Sequence, residues 1–312
     1  MSYRTVEIGS PARLSLRHRQ MVIAREDGSA PTVPIEDLDI LLLAEPRITC
    51  SGALLVSLAE AKVATIICGT DYMPTGVLLP YAGNVLSGER LRAQLACPKP
   101  LSKRLWQTII VCKLRRQGDL LASVTGTDAG LSAMARRVRS GDPDNLEAQG
   151  AQRYWPRLLG AKFRRDRTGE PPNHLLNYGY AVLRAATARA IVSAGLQAGI
   201  GLFHANRGDA FALASDLMEP FRPFVDGVVW ELSRDGAAAG DLDRTCRTHL
   251  LSILNRAVAI DGQTMPLSLA LTRTATSLAE SFVARKSRLK LPEGADGLPG
   301  HETDHAAPPA AS

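Results

Sequence analysis

Residues 90–117, RLRAQLACPKPLSKRLWQTIIVCKLRRQ, mark the point at which the chain changes period. Leu91, Leu95, Leu101, Leu105, Ile109 and Leu114 recur at roughly helical spacing, which predicts a long amphipathic helix. Pro98 and Pro100 should break or kink it, because proline lacks the amide a helix interior needs. Upstream the pattern is that of strands. Residues 5–8, 12–16 and 20–24 are short, partly alternating segments separated by Gly9-Ser10-Pro11 and Asp27-Gly28-Ser29. After 32–38 and the apolar run 40–43, a short helix is expected over 53–62 and a buried strand over 63–68. Downstream, helices are expected over 145–159, 175–194, 211–218, 241–259 and 267–288. The class is therefore α+β: a small N-terminal β domain, residues 1–80, followed by a larger all-α domain, residues 81–288. Residues 289–312 turn to Gly, Pro, Ala and Asp and predict a disordered tail, in which His301 and His305 have no role.

A chain of 312 residues can hold two domains, and its ordinary hydrophobic content with few aromatics reads as globular and soluble. No apolar stretch of roughly 18 residues argues for a membrane span, and the N-terminus lacks a signal-peptide layout, so the expected location is the cytoplasm. Cys50, Cys68, Cys97, Cys112 and Cys246 show no C-x-x-C pairing and read as small buried hydrophobes, not as a zinc site or disulfide framework. The net charge of +6 favours an anionic partner. Basic residues cluster at Lys99, Lys103 and Arg104; at Lys113, Arg115 and Arg116; at Arg136, Arg137 and Arg139; and from Arg153 to Arg167. Trp106, Tyr154, Trp155 and Phe163 are interleaved among them, a pattern expected of a nucleic-acid footprint.

Within this cationic chain, a few acidic or imidazole side chains stand on apolar stretches. Glu147 lies in Asp144-Asn145-Leu146-Glu147-Ala148, His204 closes Gly199-Ile200-Gly201-Leu202-Phe203-His204, and Asp216 and Glu219 share one helical face before Pro220. Each alone has a plain structural reading, such as an ion pair of Glu147 with Arg153 or a satisfied core histidine. Together, a desolvated imidazole and two or three carboxylates suit a hard-to-borderline cation, Mg2+ or Mn2+. A carboxylate-held cation in an arginine-rich protein points to phosphodiester chemistry.

The same segments resemble one family. Gly141-Asp142-Pro143-Asp144-Asn145-Leu146-Glu147-Ala148-Gln149 with Arg153-Tyr154-Trp155-Pro156, then Leu176-Asn177-Tyr178-Gly179-Tyr180-Ala181, Gly201-Leu202-Phe203-His204 and Asp216-Leu217-Met218-Glu219-Pro220-Phe221-Arg222-Pro223 followed by Val225-Asp226, are similar to the motifs of the CRISPR-associated spacer integrase, Cas-one. Arg4-Thr5-Val6 and Met73-Pro74-Thr75-Gly76 fit the same family, and the resemblance runs from about residue 3 to 287. The chain looks most like the forms found beside single-protein-effector, type II systems.

The resemblance implies a β domain followed by a helical catalytic domain, and an endonuclease and integrase acting on double-stranded DNA, both spacer precursor and CRISPR repeat. It implies a Mg2+ or Mn2+ site whose catalytic ligands are Glu147, His204 and Glu219, with Asp216, one turn away, as the second choice or a supporting residue. It also implies a homodimer, a small partner, Cas-two, bridging two dimers, and a possible link to the type II effector, with no membrane role. Arg153, Arg164, Arg165 and Arg222 are the candidates for phosphate contacts, and Tyr154 or Tyr178 for a contact near the reacting strand end, with buried packing expected of at least one of the two. Three other functions compete: a nuclease without integration, a non-catalytic DNA scaffold, and a metabolic metalloenzyme, the last without a nucleotide-binding glycine loop or zinc motif.

Overall fold

The computed structural model describes residues 4–81, 83–204 and 208–300. Its N-terminal part holds two four-stranded sheets. In the first, β1 (Arg4–Ile8), β5 (Leu38–Leu43) and β7 (Ala64–Cys68) run parallel and β8 (Pro74–Leu78) closes the edge antiparallel. The second has the order β4 (Thr32–Pro34), β3 (Gln20–Arg25), β2 (Ala12–Arg17), β6 (Thr49–Cys50). His18 and Arg19 join β2 to β3 with φ of 50° and 61°, the two-residue left-handed turn whose twist matches a hairpin. Ser51 caps α1 (Gly52–Glu60) by accepting a hydrogen bond from the Leu54 amide at 3.3 Å.

Strand β5 is LDILLL and buried along almost its whole length, as a parallel strand covered on both faces must be. Leu38 and Leu41 face the core shared with the second sheet and α1, while Ile40 and Leu42 face the helices. The polar position between them, Asp39, is buried and pairs with Arg189 of α6 at 2.5 Å, which fastens sheet to helix. The sheets end at Leu78, but the helical core continues through Ile40, Leu42, Ala64, Ile66 and Cys68, so one apolar interior spans both parts.

The predicted long helix is two. α2 (Ser87–Leu95) stops before Pro98, and α3 (Lys99–Thr125) starts with Pro100 in its first turn, where no amide partner is needed. α3 is not a surface amphipath. Trp106, Ile109, Ile110, Leu114, Leu120 and Leu121 are buried together with Lys113, Arg116 and Gln117, because other helices pack around it. α4 (Leu131–Ala135), α5 (Leu146–Leu158), α6 (Asn173–Ser193), α7 (Ala212–Leu217), α8 (Arg222–Arg234), α9 (Arg244–Ser252) and α10 (Leu267–Ala284) complete the helical part. Gly150 lets α5 close on α3: a β-carbon there would lie 2.3 Å from Leu114 Cδ2.

Three expectations need correction. The helical part is not all-α, since residues 241–259 hold the short α9, a 3-10 turn (Ile253–Asn255) and then β9 (Ala257–Ile260), paired with β10 (Gln263–Pro266). Asp261 and Gly262, at φ 55° and 70°, make the tight turn between them, and β-branched Val258 and Ile260 are buried in the helical core. Helix α8 was not foreseen. The tail does not begin at 289: Leu291 and Leu298 are buried, and the Glu293 amide donates to the Ala259 carbonyl at 2.8 Å, extending the hairpin edge. Residues 301–312, with His301 and His305, lie outside the described residues.

Candidate active site

Glu147 stands in the first turn of α5. The turn before it is built by Asp142, nearly buried, whose two carboxylate oxygens accept the Leu146 and Glu147 amides at 2.9 and 3.0 Å. Glu219 opens a 3-10 turn between α7 and α8 and is 3% exposed. Between the two carboxylates lies Lys113 of α3, its Nζ 2.6 Å from Glu147 Oε1 and 2.6 Å from Glu219 Oε2. Arg222 approaches the other side of Glu219, 3.0 Å from Oε1. Burial pushes the Glu219 carboxyl up, but Arg222 and Lys113 outweigh it and hold the group below its ordinary value. Burial likewise pushes Lys113 down, and Glu219 and Glu147 more than reverse that, raising it.

His204 is fixed by Asp216. The fully buried carboxylate accepts the Leu202 and Phe203 amides on Oδ2 at 2.6 and 3.0 Å. Its Oδ1 takes the His204 amide at 3.3 Å and the ring Nδ1 at 2.5 Å. All four contacts fall on the chain reversal that Gly201 permits, where a β-carbon would sit 2.3 Å from the His204 carbonyl. The imidazole is edge-on to Trp106 and to Phe203, which stack in parallel at 4.4 Å. Asp216 raises the imidazole pKa through its hydrogen bond, with Glu219 and Glu147 adding smaller attractions. With Nδ1 engaged, Nε2 is the nitrogen left for a cation, the usual arrangement of a histidine ligand backed by a carboxylate.

Behind the carboxylates lies a second buried cluster. Asp226 of α8 accepts the Tyr154 hydroxyl at 2.8 Å on one oxygen and the Tyr180 hydroxyl on the other. Burial pushes the Asp226 carboxyl up to about 6 despite these bonds. Arg222 and Arg165 lie over the Tyr180 ring, 4.6 and 5.4 Å from its centre. Arg165, Arg167, Arg184 and Arg222 line one cavity of about 260 Å³ with Tyr180 and Asn177. Arg165, Arg167 and Arg184, with Arg222 shared with Glu219, give this cavity a cationic lining.

Two carboxylates and an imidazole backed by a carboxylate are donor types that suit a hard divalent cation. Among the described residues no three His, Cys, Asp or Glu side chains come together as a metal site, and the Lys113 ammonium stands between Glu147 and Glu219.

The family model for CRISPR associated protein Cas1 matches residues 8–256. This chain belongs to the Cas1 family. It is 35% identical over 297 residues to the CRISPR-associated endonuclease Cas1 of Neisseria meningitidis, covering 94% of this chain and 97% of that one. In fold it is similar to a casposase bound to integration product, with TM-score 0.76, 19% identity and coverage of 99% and 96% of the two chains. It is also similar to part of a Cas6-RT-Cas1–Cas2 complex, with TM-score 0.71, 17% identity and coverage of 92% and 36%.

Of the residues expected from the Cas1 motifs, Glu147 and Glu219 meet on one ammonium, and the His204 imidazole feels both charges. Asp216 is spent on the Leu202–His204 segment. Glu147 pairs with Lys113, not with Arg153. Arg165 and Arg222 share the arginine cavity, whereas Arg153 is exposed on α5 and Arg164 bonds the Ala161 and Phe163 carbonyls. Tyr154 and Tyr178 are both fully buried, the former committed to Asp226 and the latter near Glu7 and Cys68. Tyr180, two residues on, is the one that faces the arginines. Lys113 and Arg116, read as part of a basic surface, are buried in ion pairs with Glu147, Glu219 and Asp119. Sequence reasoning gave no role to Lys113, Asp142, Tyr180 or Asp226, although the last three lie within the quoted motif segments and Asp142 stands, as an acid, just ahead of a helix start.

Proposed function

We propose that this protein is a CRISPR adaptation integrase that joins the 3′-hydroxyl of a DNA fragment to a phosphodiester at the edge of a CRISPR repeat, with DNA cleavage as the hydrolytic form of the same chemistry. The observation that carries the reading is the convergence of Glu147 and Glu219, from separate motifs, on a single cation position. In the exchange one P–O bond forms to the incoming 3′ oxygen and one breaks to the departing oxygen. When bound by Glu147, Glu219 and His204 Nε2, Mg2+ or Mn2+ supplies Lewis-acid chemistry, easing deprotonation of the hydroxyl and balancing charge on phosphorus. Glu219 is preferred to Asp216 as ligand because four donors already occupy the Asp216 oxygens. Asp216 orients the imidazole, Arg222 steadies Glu219, and Arg165, Arg167 and Arg184 neutralise backbone phosphates of the double-stranded substrate.

Integration at two repeat borders needs two active sites, which supports a homodimer working with a small Cas2 partner, of the kind present in the similar Cas6-RT-Cas1–Cas2 complex. A type II setting accords with the relative in N. meningitidis. A strand-transfer assay tests the reading. The components are the protein, its Cas2 partner, a labelled duplex with free 3′-hydroxyls, a plasmid carrying the repeat array, and Mg2+ or Mn2+. Label joined to plasmid by wild type, and lost in Glu147→Ala, His204→Ala and Glu219→Ala, is the expected outcome. Shortened fragments without joining would leave a nuclease. Joining that survives Glu219→Ala but not Asp216→Ala would move the third ligand to Asp216.

A further inference from the structure

The two carboxylates of the site are matched by two cationic side chains. Glu147 and Glu219 carry two negative charges, and Lys113 and Arg222 return two positive ones at 2.6, 2.6 and 3.0 Å. The Lys113 side chain is 10% exposed and that of Glu219 is 4% exposed, so these charges act on each other through protein more than through water. The ammonium directs its hydrogen bond to Glu147 and touches Glu219 Oε2 without one, leaving that buried oxygen short of a directed partner. A dication placed here meets a fixed positive charge in the position it needs. A DNA phosphate brought alongside supplies the missing negative charge and a new partner for the ammonium.

We infer that Lys113 is a resident counter-cation that makes divalent-cation binding and DNA binding depend on each other. It is a positioning residue: it keeps the two carboxylates together in the free protein and moves to a backbone phosphate when cation and strand enter. The inference rests on the reading that this site takes a divalent cation. By linkage, whatever factor DNA adds to cation affinity the cation must add to DNA affinity.

The experiment measures Mn2+ binding to the full chain at constant ionic strength, with and without a short DNA duplex bearing free 3′-hydroxyls. Mn2+ bound by DNA itself is subtracted with a Glu147→Gln/Glu219→Gln protein. Wild type should bind Mn2+ about tenfold or more tightly when DNA is present, and DNA about tenfold or more tightly when Mn2+ is present. Lys113→Met and Lys113→Gln should bind Mn2+ about tenfold more tightly than wild type in the absence of DNA, with the DNA effect shrunk, since a like charge has been removed from beside the ion. Equal Mn2+ affinity of wild type with and without DNA would overturn the inference while leaving the metal site standing. So would folded Lys113 variants that bind Mn2+ no better than wild type. No specific Mn2+ binding by any of these proteins, with or without DNA, would remove the metal reading itself. The wild-type comparison decides alone if the variants fail to fold.

Discussion

Asp216 and Glu219 lie one helical turn apart with similar burial, and their partners separate them. Asp216 meets amides and an imidazole, whereas Glu219 meets ammonium and guanidinium. Asp216→Asn should therefore weaken activity or Mn2+ affinity by roughly 10–100-fold through a misaligned His204, in line with carboxylates that back histidine ligands. The split between the two effects is read by titrating Mn2+ in the strand-transfer assay, where excess metal should restore part of the rate. Asp226 makes a prediction about pH. Burial raises its pKa from the ordinary 3.8 to about 6, so the folded protein keeps a proton that the unfolded chain releases. Its contribution to stability is complete below about pH 4 and falls away as pH rises to about 6. The loss is roughly 2–3 kcal/mol at about 1.36 kcal/mol per pH unit. Urea unfolding at pH 4 and pH 7 should show this decline in wild type beyond that in Asp226→Asn, and parallel curves for the two proteins would count against it. The sequence offered Asp216 as a supporting residue but not what it supports, and gave Asp226 no role, since an aspartate spent on amides and one held by tyrosines are the same letter.

Among the elements, α5 shows how a motif is a local structure before it is a site. Gly141, Asp142 and Asn145 have positive φ, and Asp142 captures the first two free amides of the helix, which aims Glu147 from the first turn. Asp142→Ala should cost roughly 0.5–2 kcal/mol, the usual worth of a helix cap, seen as a lower urea midpoint. The strands 4–8, 12–17 and 20–25 were legible because alternation and turn residues agree locally. Helix α8 was not, because Pro220 and Pro223 look like stops, whereas Pro223 occupies a helix start where proline is tolerated. The β9–β10 hairpin was announced by Asp261-Gly262 and masked by helical-looking sequence before it.

At the scale of the whole molecule, the last described residues belong to the core. Leu298 is fully buried, so Leu298→Ala should destabilise the protein by about 2–5 kcal/mol in urea, whereas a disordered tail would make it neutral. Composition misled here because Gly- and Pro-rich segments can still pack when a groove receives their few leucines. Among the described residues no helix is long and apolar enough to cross a membrane. By itself the sequence determined the strand-then-helix order, the candidate ligand motifs and the cationic character, since each depends on residues near one another in the chain. Tertiary structure alone decided that Lys113, a lysine in an apparently basic surface, is the buried partner of Glu147 and Glu219. Charge pairing across α3, α5 and the turn before α8 depends on the distance between helices, and no local pattern encodes that distance.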